Sequence, residues 1–192
     1  RELHARHDFP AIKFKGGVFP PEEEVEALRA LRAAFPAKKL RYDPNAVLSA
    51  ATSIRIGKRI EPLDIEYYED PCWGNEAMAR VRQRVDIPFA TNMCIMDLDQ
   101  LAQGLRMGSV DIVLGDIHEW GGISNAKKLQ ATCEVFQLGF NLHSGGELGI
   151  STAAYLHFAA SVPALPHALD SHMHQQAADV IKPGTIAYTP RG

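Results

Sequence analysis

Short apolar and β-branched runs alternate along the chain with stretches in which apolar residues recur every three to four positions. Each run is short enough for a strand, and several are apolar enough to be buried on both faces, as strands of a parallel sheet are. The pattern predicts seven strands, at residues 11–15, 39–43, 65–70, 88–93, 110–116, 140–144 and 167–172.

Four stretches between these strands carry helix signals. A proline pair at residues 20–21 precedes three glutamates, which places proline in a first helical turn and acids at the positive end of the dipole, and Pro36 closes this helix. Asn75 and Ser124 are predicted to cap two further helices, and the second of these ends at Gly139. A shorter helix is predicted from three leucines at helical spacing, Leu98, Leu101 and Leu105.

Regular alternation of strands and helices favours a parallel sheet, which could be a doubly wound open sheet or a closed barrel. Residues that can do chemistry fall at the end of every predicted strand. A (β/α) barrel builds its active site from the ends of several strands, whereas an open sheet concentrates such groups at one switch point. We therefore interpret the chain as a barrel. The strand-end residues are Lys13, Lys15, Asp43, Asn45, Glu69, Asp70, Asn92, Asp116, His143, Asp170 and His172.

The overall composition excludes several classes of protein. A net charge of -3 gives no sign of a nucleic-acid or anionic-membrane partner. No apolar stretch approaches the ~20 residues of a membrane span, and no signal-peptide pattern opens the sequence. Three cysteines without CxxC spacing argue against a disulfide framework and a thiolate zinc site, and are typical of a reducing cytoplasm.

Asp43, Glu69 and Asn92 are oxygen ligands at the ends of three consecutive predicted strands. Taken singly each has an ordinary explanation, since Asp43-Pro44-Asn45, for example, is a turn-former. As a set they suit magnesium, which takes oxygen ligands and keeps positions open for water or substrate. The set is a poor one for zinc, because it lacks clustered histidine and cysteine.

Two pairs of residues are candidates for acid and base. Lys13 and Lys15 are two positions apart, so both point to one face of a strand, and neighbouring ammonium groups favour a neutral, basic lysine. Asp116 and His143 end adjacent strands, where the aspartate would fix the imidazole tautomer. One base on each face of a metal-bound substrate is the arrangement for removing a proton next to a carboxylate.

At this point the motifs resemble those of a known family. Lys13-Phe14-Lys15 looks like the KxK motif of the mandelate racemase branch of the enolase superfamily, and the ligand, dyad and Asp170-Ser171-His172 segments follow in that family's order. Asparagine as third ligand, in Ala90-Thr91-Asn92-Met93, resembles the glucarate dehydratase group of acid-sugar dehydratases.

This resemblance implies a modified (β/α)7β TIM-like barrel that binds magnesium and dehydrates a small acid sugar. Lys15 and His143 would be the acid/base groups, Asp116 would orient His143, and Lys13 would tune Lys15 and contact the carboxylate. Substrate would be bound by Asn45, Asp170 and His172. The family also implies a homo-oligomer.

The resemblance further implies that residues 1–192 are most of a C-terminal metal-binding barrel domain. The first barrel strand and the N-terminal α+β capping domain have no counterpart in these residues. The opening residues 1–7 look like the end of a helix, as expected of a fragment.

Three alternatives stay open. A racemase or epimerase on the same scaffold would use the same two bases, and a non-catalytic metal-binding barrel would keep only the fold and the ligands. Ser144-Gly145-Gly146 after a strand also suits a phosphate-binding barrel. Gly145-Gly146 and residues 46–48 depart from the glucarate dehydratase pattern, so the identity of the sugar acid is open as well.

Overall fold

The computed structural model describes residue 2, residues 6–163 and residues 165–190, and it divides the chain into two compact units. The first unit is Ala11–Val113, and the second is Leu114–Gly192 together with Arg1–Pro10. The strands are β1 (Ala11–Lys15), β2 (Lys39–Asp43), β3 (Ile65–Glu69), β4 (Phe89–Thr91), β5 (Ile112–Gly115) and β6 (Gly139–Leu142). The helices are α1 (Pro21–Ala34), α2 (Ala50–Ile60), α3 (Asn75–Arg82), α4 (Leu98–Met107), α5 (Ile123–Val135) and α6 (Gly149–Ala160), with short 3-10 turns at Glu61–Leu63 and Met173–Gln175.

The strands follow one another across the sheet in chain order, and those from β1 to β5 pair in parallel. This confirms the predicted α/β class and six of the seven predicted strands. Parallel order carries the carboxyl ends of consecutive strands to the same edge of the sheet, where the side chains at the strand ends become neighbours.

In the first unit, alternate residues of the strands point to opposite faces of the sheet. One face carries charged residues, Lys13, Lys15, Asp43 and Glu69. The other carries Phe14, Tyr42 and Tyr68, and the rings of Tyr42 and Tyr68 stack with their centroids 5.2 Å apart. Tyr42 donates its hydroxyl to Glu24 of α1 at 2.5 Å, so helices cover this aromatic face. The alternation therefore commits the charged residues to the face away from α1.

The second unit contains a compact apolar cluster around Gly115 of β5. Phe140 of β6 lies edge-on to Phe158 of α6, with ring centroids 6.2 Å apart, and Leu129 of α5 is fully buried. Asp179 accepts the backbone N–H of Gly149 at 2.8 and 3.0 Å, and it thereby satisfies a free donor at the start of α6 from thirty residues away.

The predicted strand at residues 167–172 is wrong, because this segment forms no strand among the described residues. Its carbonyl groups accept hydrogen bonds from side chains instead of from a neighbouring strand. Asn141 donates to the carbonyl of Ala168 at 3.1 Å, and Tyr155 donates to that of Asp170 at 3.2 Å. The predicted opening helix falls largely on residues 1 and 3–5, which lie outside the described residues.

Two predicted helix caps are also wrong. Gly74 and Gly122 hold the N-cap positions, and α3 and α5 begin one residue later. Asn75 turns inward and is buried, with its amide donating to the Gln100 carbonyl at 3.2 Å and accepting from the Ser109 hydroxyl at 2.8 Å. A side chain with two tertiary partners is not free to cap its own helix.

The boundaries of two helices differ slightly from the prediction, and two helices were missed. Helix α1 ends at Ala34 before Pro36, and α5 ends at Val135, because Gln137 adopts a left-handed φ of 56°. Gly139 begins β6 and does not end α5. Helix α2 is capped by Ser49, which accepts from the N–H of Thr52. Helix α6 has apolar residues around almost its whole circumference, so it lacks the periodicity that marks an amphipathic helix.

The three cysteines, Cys72, Cys94 and Cys133, are buried free thiols, and burial raises the pKa of each. None of the helices in the described part of the chain combines the length and the apolar character needed to span a bilayer.

Gly115 provides a test of the packing in the second unit. A Cβ added there would lie 2.8 Å from the Phe140 ring and 2.9 Å from Leu129. We expect Gly115→Ala to lower the free energy of unfolding by about 1–3 kcal/mol, the usual cost of overpacking a core, measured by urea denaturation of the full-length protein.

Gly145→Ala is the matched control, because a Cβ there would approach no atom closer than 3.8 Å. Its effect should stay within about 0.5 kcal/mol. Equal stabilities for the two variants would contradict the packing described around Gly115.

Candidate active site and metal centre

Asp43 and Glu69 end the adjacent strands β2 and β3, and both side chains are buried. The ammonium of Lys13 lies 2.7 Å from Glu69 Oε1 and 3.3 Å from Asp43 Oδ2. A single positive charge is therefore shared by the two acids that the sequence predicts as metal ligands.

Lys15 lies two residues after Lys13 on β1. It forms an ion pair with Asp43 Oδ2 and donates to Asn45 Oδ1 at 3.1 Å. Asn45 reaches this position because it adopts a left-handed φ of 52°, and its own N–H donates to Asp43 Oδ1 at 2.9 Å. The predicted base and the predicted substrate-binding amide are thus in direct contact. The sequence predicts two ammonium groups side by side, and in the structure each of them is paired with a carboxylate.

Asn92 follows β4 and is buried. Its side-chain amide lies 2.9 Å from Asp70 Oδ2 and 3.3 Å from Glu69 Oε1, and its nitrogen donates to both of these oxygens. The three predicted ligands Asp43, Glu69 and Asn92 are therefore linked through Lys13 and Glu69 into one cluster within the first unit.

Asp70, for which the sequence predicted no role, joins this cluster. Its carboxylate accepts the Thr91 hydroxyl at 2.5 Å and the backbone N–H groups of Asn92 and Met93 at 2.9 and 3.2 Å. The one signal in the sequence was its position next to Glu69 in a strand-end pair, Glu69-Asp70.

The two aspartates experience opposite electrostatic effects. Burial opposes ionisation of Asp43, but the charges of Lys13 and Lys15 outweigh it and hold the pKa of Asp43 below its usual value. Burial raises the pKa of Asp70, and this effect prevails over the hydrogen bonds from Thr91 and Asn92. The charge of nearby Asp43 raises the pKa of Asp70 further.

The donor set of this cluster fits a magnesium ion. Two carboxylates and one amide supply oxygen ligands, and the first two are close enough together to share one cation, as Lys13 shows. Asn92 adds a neutral ligand beside these two acids, since its amide lies 3.3 Å from Glu69 Oε1.

The second unit contains the predicted histidine–aspartate dyad. His143 Nδ1 lies 3.2 Å from Asp116 Oδ2, which leaves Nε2 as the nitrogen available to a ligand. Asp116 Oδ1 accepts the backbone N–H of His118 at 2.6 Å and contacts the His118 ring nitrogen at 2.9 Å. Burial opposes ionisation of Asp116, but the hydrogen bonds from His143 and His118 outweigh it and lower its pKa to about 2. The expected contact of aspartate with imidazole is confirmed.

His172 lies in the irregular segment that was predicted as a strand. Its Nδ1 lies 2.9 Å from the Ser144 hydroxyl, which also donates to Glu147 Oε2 at 2.5 Å. The other Glu147 oxygen accepts the N–H of Gly145 at 2.7 Å. The backbone carbonyl of Asp170 is held by Tyr155. The structure thus brings His172 into contact with the loop that follows His143.

Two groups of side chains in the second unit have ligand atoms within 4.8 Å of one another. These groups are Asp116, Glu119 and His143, and Asp116, His118 and Glu147. Both depend on Asp116, whose oxygens already accept several hydrogen bonds. Hydrogen bonding accounts for this grouping without a metal. His118 and Glu147 were not predicted as site residues, and their spacings from Asp116 and His143 were the only signals in the sequence.

Comparisons with known proteins identify the family of the chain. The family model described as Enolase C-terminal domain-like matches residues 1–189. A probable glucarate dehydratase of Streptomyces coelicolor is 45% identical over 181 residues, which cover 94% of this chain and 42% of that protein. Weaker relatives, 24% to 31% identical, bear the names of a dehydratase, a synthase, an epimerase, a racemase and cycloisomerases.

Solved structures give the same result. An enolase from Mycobacterium smegmatis complexed with tartrate superposes with a TM-score of 0.94 at 44% identity, covering 99% of this chain and 45% of that one. An enolase from Thermobispora bispora complexed with magnesium and formate gives 0.94 at 42% identity, with the same coverage. The chain therefore spans less than half the length of these relatives.

The pKa of Asp116 predicts a pH dependence of stability. Because its folded value of about 2 lies below the ordinary 3.8, the stability that its charge contributes is complete above pH 3.8 and is lost as pH falls through about 2. We expect Asp116→Asn to be less stable than wild type at neutral pH, with a difference that shrinks as pH falls from 3.8 to about 2. Urea denaturation at a series of pH values and constant ionic strength measures this difference. A difference that stays constant to pH 2 would contradict the ionised Asp116–His143 contact.

Proposed function

The chain belongs to the Enolase C-terminal domain-like family, and we propose that the protein is a magnesium-dependent dehydratase of acid sugars. The observation that carries this proposal is the cluster in the first unit, where the ammonium of Lys13 joins Asp43 to Glu69 and the Asn92 amide lies 3.3 Å from Glu69 Oε1. The probable glucarate dehydratase of 45% identity supports the reaction, and the tartrate and formate complexes of related structures support a carboxylate ligand.

Asp43, Glu69 and Asn92 are the residues that we propose to hold magnesium. When bound there, the ion would supply positive charge against the negative charge that develops on the substrate carboxylate as the α proton leaves. The carboxylates of Asp43 and Glu69 would balance the two charges of the ion, and the ammonium of Lys13 adds one positive charge, so an anionic substrate is attracted to the cluster.

Lys15 and His143 are the proposed acid/base groups. Lys15 ends β1 next to Asp43, and its side chain is 40% exposed, so its amine is accessible to a ligand bound beside Asp43. His143 presents Nε2, because Asp116 engages Nδ1. Lys13 is largely buried between the two acids. Its ammonium is suited to bind the substrate carboxylate, and it adds a positive charge near Lys15.

The reaction balances with these groups alone. One base takes the proton on the carbon α to the carboxylate, and the electron pair of that C–H bond moves toward the carboxylate. The β C–O bond then breaks, and the hydroxide leaves as water with a proton from an acid, either the second group or the protonated base. The resulting enol takes a proton on carbon and becomes a keto-deoxy sugar acid.

Asn45, Asp170 and His172 are the proposed contacts to the hydroxyl groups of the sugar. Asn45 is held by Lys15, and His172 by Ser144, so both present polar atoms from fixed positions. The proposal also includes a cytoplasmic location, which the three buried free thiols support. It includes a homo-oligomer, which the family resemblance supports.

The direct test is a screen of the full-length protein with magnesium against mono- and diacid sugars, read out as α-keto acid. We expect turnover of one or two sugars that is lost on chelation of the metal. Lys15→Ala and His143→Ala should each lower kcat by about 10²–10⁴-fold, the usual contribution of a positioned acid or base.

The matched controls are Lys128→Ala and His157→Ala, which remove exposed residues of α5 and α6 and should leave turnover unchanged. If no sugar yields a keto acid while magnesium is shown to bind, the dehydratase proposal is wrong.

Running the same screen in deuterated water separates dehydration from racemisation. A dehydratase gives a keto acid with loss of water, whereas a racemase or epimerase returns a solvent deuteron to the α carbon and keeps every hydroxyl. We expect the keto acid. Deuterium incorporation without loss of water, read by mass spectrometry of the recovered sugar, would point to the racemase or epimerase instead.

A further inference from the structure

Asp70 is a fully buried carboxylate that touches the proposed metal ligand Asn92 in two ways. Asp70 Oδ2 accepts the backbone N–H of Asn92 at 2.9 Å, and it lies 2.9 Å from the Asn92 side-chain amide. The same oxygen accepts the next N–H, that of Met93, at 3.2 Å. One carboxylate oxygen therefore fixes both the backbone and the side chain of Asn92.

The other oxygen of Asp70 is held by Thr91, whose hydroxyl donates to it at 2.5 Å and itself accepts the N–H of Cys94 at 2.9 Å. Residues 91–94 thus fold around the carboxylate as a single turn. The turn follows the short strand β4, and these hydrogen bonds hold it against Asp70.

The backbone of Asp70 connects the same turn to the two preceding strand ends. Its N–H donates to the Ala90 carbonyl at 3.0 Å, and its carbonyl accepts the N–H of Ala46, beside Asn45, at 2.6 Å. Asp70 adopts a φ of 37°, which is unfavourable for a residue with a side chain and persists only where surrounding contacts impose it. The residue before it is Glu69, so a change of conformation here would move a second ligand.

Asp111 is a carboxylate with a purely structural role, and its hydrogen bonds can be compared with those of Asp70. That carboxylate also accepts a backbone N–H of β4, from Phe89 at 2.9 Å, and it pairs with Arg82. Asp111 acts at the first residue of β4, however, and contacts no proposed ligand among the hydrogen bonds that the structure describes. Asp70 acts at the opposite end of the strand, directly on Asn92.

We propose that Asp70 is a positioning residue for the metal centre, which holds Asn92 against Glu69 so that the three ligands are arranged before the cation arrives. The inference rests on the proposed function, because it takes magnesium as the ion. Partners that orient a metal ligand typically contribute 10–100-fold to metal affinity. Asp70 would act on the ion through Asn92 without being a ligand itself.

The test is the affinity of the full-length protein for magnesium alone, measured by isothermal titration calorimetry without substrate. In Asp70→Asn the amide group keeps the shape, but its NH₂ cannot accept a hydrogen bond, so either Thr91 or the N–H groups of the turn lose their acceptor. We expect the Kd for magnesium to rise about 10–100-fold. Thr91→Val, which removes one hydrogen bond to Asp70, should raise it by a smaller factor and decides the question if Asp70→Asn does not fold.

Asp111→Asn is the matched control, since it makes the same chemical change at the other end of β4. Thermal unfolding in the presence of a chelator should show both aspartate variants to be less stable than wild type, whereas only Asp70→Asn and Thr91→Val should bind magnesium more weakly. A wild-type Kd in folded Asp70→Asn, or an equal rise in Asp111→Asn, would overturn the positioning role and leave the proposed function standing. Absence of magnesium binding in the wild-type protein would overturn both.

Discussion

Asp43 and Glu69 are buried carboxylates at the ends of adjacent strands, and buried anions of this kind need positive charge or hydrogen-bond donors in place of water. Lys13 supplies that charge to both, and Lys15 supplies it to Asp43. The hydrogen bonds of Asn45 and Asn92 then follow from the need to satisfy the remaining oxygens. A cluster held together by unlike charges in this way is the arrangement for which we propose a divalent cation.

The sheet delivers these residues because strand geometry is strict. Successive residues alternate between faces, so Lys13 and Lys15 must share a face, and Phe14 must turn to the aromatic side. In the parallel register, Lys15 lies beside Asp43, and Glu69 ends the next strand. The strands are covered on the aromatic side by helices whose own contacts, such as that of Glu24 with Tyr42, lie away from the charged residues. The aromatic packing and the charged residues thus occupy opposite faces of the same strands.

In the second unit the constraint is the charge of Asp116. Its oxygens accept hydrogen bonds from two histidines and from backbone N–H groups, which keep the carboxylate ionised. Because Nδ1 of His143 contacts Asp116, Nε2 is the nitrogen that faces away from the aspartate. The segment with Asp170 and His172 has no strand pairing among the described residues. Its position depends on side chains, with Tyr155 on the Asp170 carbonyl and Ser144 on the His172 ring. Side-chain hydrogen bonds therefore place two of the residues that we propose to contact the substrate.

The sequence by itself determined the α/β class, six of the strands and the residues at their ends, because strand periodicity and the alternation with helices are local properties of the chain. It also indicated the contact of Asp116 with His143 and the grouping of Asp43, Glu69 and Asn92, since the order of parallel strands makes consecutive strand ends neighbours. Only the tertiary structure decided that Lys13 is shared between two acids, that Asp70 holds Asn92, and that Asn75 faces inward instead of capping its helix. Those outcomes depend on which donors and acceptors meet across residues far apart in the chain. Residues 167–172 show the same limit: their pattern is that of a strand, but side chains of Asn141 and Tyr155 take the carbonyl groups that a neighbouring strand would have used.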